Sequence, residues 1–245
     1  MSISKILGIS GENGHGIVFY TESDGVLYVE NYGGGKLNQL QNAPIQIKGI
    51  TGNNTEGPII FQNNDLYYMN SYAEDKWHKI DDAPFTVIGL AGDNSHGPIV
   101  YNGVQICHLD SYSSPSWDSI LNAPFEIIGI TGNNASGPII YNDKQVAYMD
   151  SYAKNQWSTV AEAPFPIQGI TGDNRVGIIA YNGDKVAKME AYSSSEWIML
   201  NNAPVGIIDI TGNNHTGPCV TNGTDVYYMP SYAEGKWKKV EWKES

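Results

Sequence analysis

Apolar residues in this chain come in short bursts, cut every few positions by Gly, Pro, Asn or Asp. The stretch 123–162 shows the pattern. Its bursts predict strands at Phe125–Thr131, Pro138–Asn142, Val146–Tyr152 and Trp157–Val160, rich in β-branched and aromatic side chains. Long i, i+3, i+4 stripes are missing, so helical repeats are excluded.

The same layout recurs along the chain. The segment I-T-G-N-N begins at Ile50, Ile130 and Ile210, with variants beginning at Ile9, Leu90 and Ile170. These starts lie about 40 residues apart, each preceded by Ala-Pro in all units but the first and followed by a G-P-I-I-Y-N-like run, S-Y and Trp. Four short antiparallel strands per unit, repeated through all 245 residues, predict an all-β, six-bladed β-propeller in one domain. The repeats are set at 1–42, 43–82, 83–122, 123–162, 163–202 and 203–245. The glycine-bearing first strand, apolar on both faces, belongs at the crowded axis. The last strand, such as W-S-T-V, belongs at the outer edge. Closure is expected by packing of the end blades, with at most a modest strand overlap.

Composition narrows the partners. With 14 Lys+Arg against 26 Asp+Glu the net charge is -12, which argues against nucleic acid and anionic lipid. The one arginine, Arg175, leaves no paired guanidinium grip. No apolar run is long enough for a membrane span, and the first ten residues do not read as a signal peptide, so a cytoplasmic protein, or one released without a leader, is expected. Cys107 and Cys219 read as reduced core residues. No Ser–His–Asp order, carboxylate pair, cofactor motif or metal-ligand spacing stands out, and the five histidines share no repeat position. The chain is therefore expected to be non-catalytic, without cofactor or metal. Asp209 is the odd acid, standing where other inner strands have Gly49, Gly89, Gly129 and Gly169.

Candidate binding residues follow from the antiparallel order. The turns G-N-N-x-x-G-P and S-Y-A-x-x-x-W fall on one face of the disc, which groups Asn54, Tyr72 and Trp77; Asn94, Tyr112 and Trp117; Asn134, Tyr152 and Trp157; Asn174, Tyr192 and Trp197; and Asn214, Tyr232 and Trp237. Amides beside aromatic rings suit neutral polyols, and several shallow sites together give avidity. The same residues would also recur if every blade simply needed the same turns and packing. The aliphatic three residues after each Trp has the opposite strand parity, which predicts an exposed indole. In the first unit Leu37 replaces the Trp.

The run W-H-K-I-D-D-A-P-F-T-V-I-G-L-A-G-D-N, continuing through I-V-Y-N to the next Trp, resembles the tectonin-type repeat and the sugar-binding propeller lectins. The resemblance implies multivalent binding of neutral glycans on cell surfaces, O-methylated or of fucose or mannose type. The Arg–Glu pair of the six-bladed fucose lectins has no repeated counterpart here, and the arginine triad and Asp boxes of sialidases are missing. The rival reading is an intracellular scaffold that binds proteins through one face; an amplified repeat with no ligand also stays open, as does oligomerisation.

Overall fold

The computed structural model describes residues 3–11, 16–53, 56–112, 116–149, 151–173, 177–194, 196–213 and 215–243. They form six sheets arranged as the blades of a propeller, five with four strands and one with five. Blade 4 is typical. Its strands Gly129–Asn133, Gly137–Asn142, Gln145–Met149 and Trp157–Thr159 are antiparallel neighbours in that order from axis to rim. The first strand starts four residues later than the apolar run suggested. Phe125–Ile128 carries the chain from the rim of one blade to the axis of the next, and the Ile127 amide donates to Gly103 O of blade 3 at 3.1 Å. Apolar character there serves the joint between blades, not a ladder.

Each sheet is buried on both faces because both pack on a neighbour. Consecutive residues Ile139 and Ile140 are fully buried in different clusters, one toward blade 5 and one toward blade 3. Period-two alternation thus sends side chains to two interfaces, each apolar. Burying one such Ile contributes roughly 1.5–3 kcal/mol. Both cysteines are free and buried.

At the axis the six first strands contact one another in a ring. Glycine is required where an aromatic ring from the second strand lies over the backbone. A Cβ on Gly129 would come within 2.3 Å of Tyr141 Cε1, and one on Gly169 within 2.5 Å of Tyr181 Cε1. Blade 6 exchanges both partners, pairing Asp209 with Thr221.

Blade 1 holds both ends of the described chain. Its inner strand is Ile6–Ser10, and Glu241–Lys243 adds parallel to its outer strand Gly33–Leu40. The overlap is three residues, with Trp242 tilted against Phe19 at 5.9 Å. No helix among the described residues is long and apolar enough to cross a membrane.

Candidate functional site

The repeated Asn, Tyr and Trp side chains meet at the joints between blades. Asn134 is the clearest case. Its amide donates to His96 O and Leu109 O of blade 3, both at 2.7 Å, while Oδ1 accepts the Tyr152 hydroxyl of its own blade at 2.7 Å. At 8% exposure, it has both amide hydrogens and its oxygen engaged. Asn94 does the same one blade earlier, donating to Met69 O and, at 3.5 Å, Glu56 O. There Asn94 Oδ1 and Tyr112 Oη are buried without a partner. Asn54, Asn174 and Asn214 lie outside the described residues.

The tyrosines stack across the same joints. Tyr68 lies on Tyr112 (4.0 Å between ring centres), His108 on Tyr152 (4.0 Å), Tyr148 on Tyr192 (4.0 Å) and Tyr228 on Tyr32 (4.5 Å), while Tyr28 meets Tyr72 at a tilt (4.4 Å). At the remaining joint the Lys188 ammonium sits over Tyr232 at 3.9 Å.

The tryptophans are half-buried and four of them donate to the preceding blade. Trp77 Nε1 bonds Gln41 O (3.1 Å), Trp157 Leu121 O (2.9 Å), Trp197 Ala161 O (3.0 Å) and Trp237 Asn201 O (3.2 Å). Trp117 Nε1 is buried without an acceptor. The parity argument holds: Trp157 packs toward blade 3 and Val160 toward blade 5. It does not lead to solvent, because the second face of a blade is another interface.

The first residue of G-N-N works locally. Oδ1 of Asn133 accepts the amides of Ala135 and Ser136, and Asn213 those of His215 and Thr216. These are Asx turns that shape the rim of an axial funnel of about 220 Å³. Around it, hydroxyls reach forward to the next blade: Ser10 to Gly52 O (2.6 Å), Thr51 to Gly92 O (2.8 Å), Thr171 to Gly212 O (2.7 Å) and Thr211 to Gly11 O (2.8 Å). Blade 3 has Ala91 at this position.

Asp209 borders the channel yet is enclosed by protein. Burial pushes its carboxyl up to about 6, against two hydrogen bonds that favour the charge, from Ile9 N (2.8 Å) and Ile210 N (2.9 Å). Oδ2 thus serves the joint between blades 6 and 1, while Oδ1 is held by its own strand.

One surface feature escaped the sequence reading. The residue just before the inner-strand glycine, or before Asp209 in blade 6, is exposed on the disc face opposite the G-N-N turns, whereas the residue before it is buried in five of the six blades and half-buried at Ile47 in blade 2. Four of these six positions are aliphatic: Leu7 (38% exposed), Ile88 (53%), Ile128 (55%) and Ile208 (41%). Lys48 and Gln168 occupy the other two positions. The signal was present in Ile127-Ile128: in an exposed crossover, two adjacent aliphatics cannot both enter one core.

No family description and no curated protein matches this sequence. Solved structures do match in fold. A streptogramin B lyase aligns over 100% of this chain and 85% of its own at 11% identity, TM-score 0.62. The virginiamycin B lyase of Staphylococcus aureus, in a catalytically inactive form with quinupristin, aligns over 98% and 85% at 11% identity, TM-score 0.60. U3-55K aligns over 96% and 80% at 9% identity, TM-score 0.64. At such identities the likeness is one of fold alone: these are propellers, and the six sheets of this chain make it a six-bladed one.

Proposed function

We propose that the protein is a non-catalytic recognition propeller that binds a protein partner through the disc face that exposes Leu7, Ile88, Ile128 and Ile208. The observation that carries this reading is the exposure of four aliphatic side chains at one repeat position. Large aliphatic side chains left exposed at the same repeat position of four blades suit contact with a protein. The repeated polar and aromatic groups, by contrast, are committed to the joints, and so is Asp209. The test is affinity capture with the protein and with an Ile88→Ser/Ile128→Ser variant, whose changes lie on exposed positions. A partner held by the first and lost by the second supports the reading. Equal capture by both would sink it.

A second reading keeps the tectonin-like lectin, with neutral multivalent glycans as ligand. It draws support from the indoles of Trp77, Trp117, Trp157, Trp197 and Trp237, which are only half-buried and recur once per blade, as aromatic groups that suit the C–H face of a sugar. Here Tyr and Asn are joint parts that hold the Trp. A glycan array decides it: density-dependent binding, competed by a simple sugar and weakened by Trp77→Leu, favours the lectin, and a blank array from folded protein removes it.

A further inference from the structure

Blade 3 differs from the others at the joint with blade 4. Its third strand carries His108 where four blades have Tyr28, Tyr68, Tyr148 and Tyr228 and one has Lys188. His108 is directly opposite Asp118 in the register of the third and outer strands, and Asp110 follows two residues along the same face. One ligand atom from each of the three side chains falls within 4.8 Å of the others.

Three details favour a ligand set over a hydrogen-bonded cluster. His108 Nδ1 and Asp110 Oδ1 stand 3.6 Å apart, too far for a good hydrogen bond. Two ligands at ~2.1 Å on one tetrahedral ion lie roughly 3.4 Å apart, so the gap suits an ion between them. The imidazole is held flat against Tyr152, 4.0 Å away and 15° from parallel, which fixes where its nitrogens point. The corresponding trios elsewhere, Tyr28/Glu30/Asn38, Tyr68/Asn70/His78, Lys188/Glu190/Ile198 and Tyr228/Pro230/Lys238, never bring three such donors together.

We propose that the joint between blades 3 and 4 binds one divalent transition cation of the Zn²⁺ class through His108, Asp110 and Asp118. One imidazole and two carboxylates neutralise the ion and leave coordination positions open toward solvent, since both aspartates are exposed. Such a set has no signature along the sequence: His108 and Asp118 lie ten positions apart and come opposite one another only when the strands pair.

The test uses the full chain, freed of metal by a chelator and titrated with Zn²⁺ by calorimetry, with Co²⁺ absorption as a report on coordination. His108→Tyr restores the ring that Tyr68 and Tyr148 supply in neighbouring blades, and Asp118→Ser copies blade 4. One equivalent of Zn²⁺ should bind the unaltered chain, with affinity falling at least tenfold in either variant while circular dichroism is unchanged. Should His108→Tyr fail to fold, Asp118→Ser carries the comparison alone. No Zn²⁺ binding, or binding that both folded variants retain, would overturn the site.

Discussion

The joint between blades 3 and 4 and the seam between blades 6 and 1 solve the same packing problem with different parts. At the ordinary joint Asn134 ties two carbonyls of blade 3, Tyr152 stacks across, Trp157 donates to Leu121 O, and Tyr101 covers Gly89 while its hydroxyl donates to Ile128 O. At the seam Leu37 stands opposite Val29 where Trp157 stands opposite Met149. Thr221 and Asp209 replace the Tyr–Gly pair, the Asp209 carboxylate takes the Ile9 amide, Cys219 Sγ donates to Tyr32 Oη at 3.1 Å, and a parallel strand is added outside. Where the chain does not continue into the next unit, the repeated residues change together. Repetition in this protein therefore marks joints first.

Breaking the ordinary joint should cost most at Asn134. Asn134→Ala removes the partner of the buried Leu109 carbonyl, of the partly buried His96 carbonyl and of the Tyr152 hydroxyl, and a loss of about 2–4 kcal/mol is expected in urea unfolding. A loss below about 1 kcal/mol would mean that the bridge is dispensable.

The seam can instead be converted to the ordinary pattern by Asp209→Gly with Thr221→Tyr. Folding raises the Asp209 pKa from 3.8 to about 6, so the folded state favours the protonated acid. The stability this gives is complete below about pH 4 and is lost as pH rises through 6, a change of about 2–3 kcal/mol. The double variant should lack that fall when unfolding at pH 4.5 and 7.5 is compared with the unaltered chain. Identical pH profiles would show that Asp209 is as easily charged inside the fold as outside it.

The smallest effect is expected where the seam already shows a tolerated exchange. Trp157→Leu copies Leu37, losing one hydrogen bond and part of a half-exposed ring, for about 1–2 kcal/mol in thermal or urea unfolding. A cost as large as that of Asn134→Ala would show that Leu37 depends on compensation from Trp242.

The architecture was legible because each level of the sequence repeats the same instruction. Turn residues punctuate short β-branched runs, and glycine falls where an aromatic ring must cover the axis. What the indoles do was less legible. Strand parity separates Trp157 from Val160 correctly, yet a linear sequence does not say that both faces of a blade are covered. The crossovers hid for a related reason: Phe125–Ile128 reads as strand by composition but bonds sideways to blade 3, and its last residue is exposed on the disc face opposite the G-N-N turns. The pairing of His108 with Asp118 needs strand register, which composition leaves open.

The hydroxyls around the funnel have a consequence for what can enter it. Ser10, Thr51, Thr171 and Thr211 each commit their only proton to the carbonyl of the following blade, always in the same rotational sense. What these oxygens keep for the lumen is lone pairs alone. These four oxygens solvate species that bring their own hydrogens, such as water or an ammonium group, and none of the four has a proton left to offer an anion.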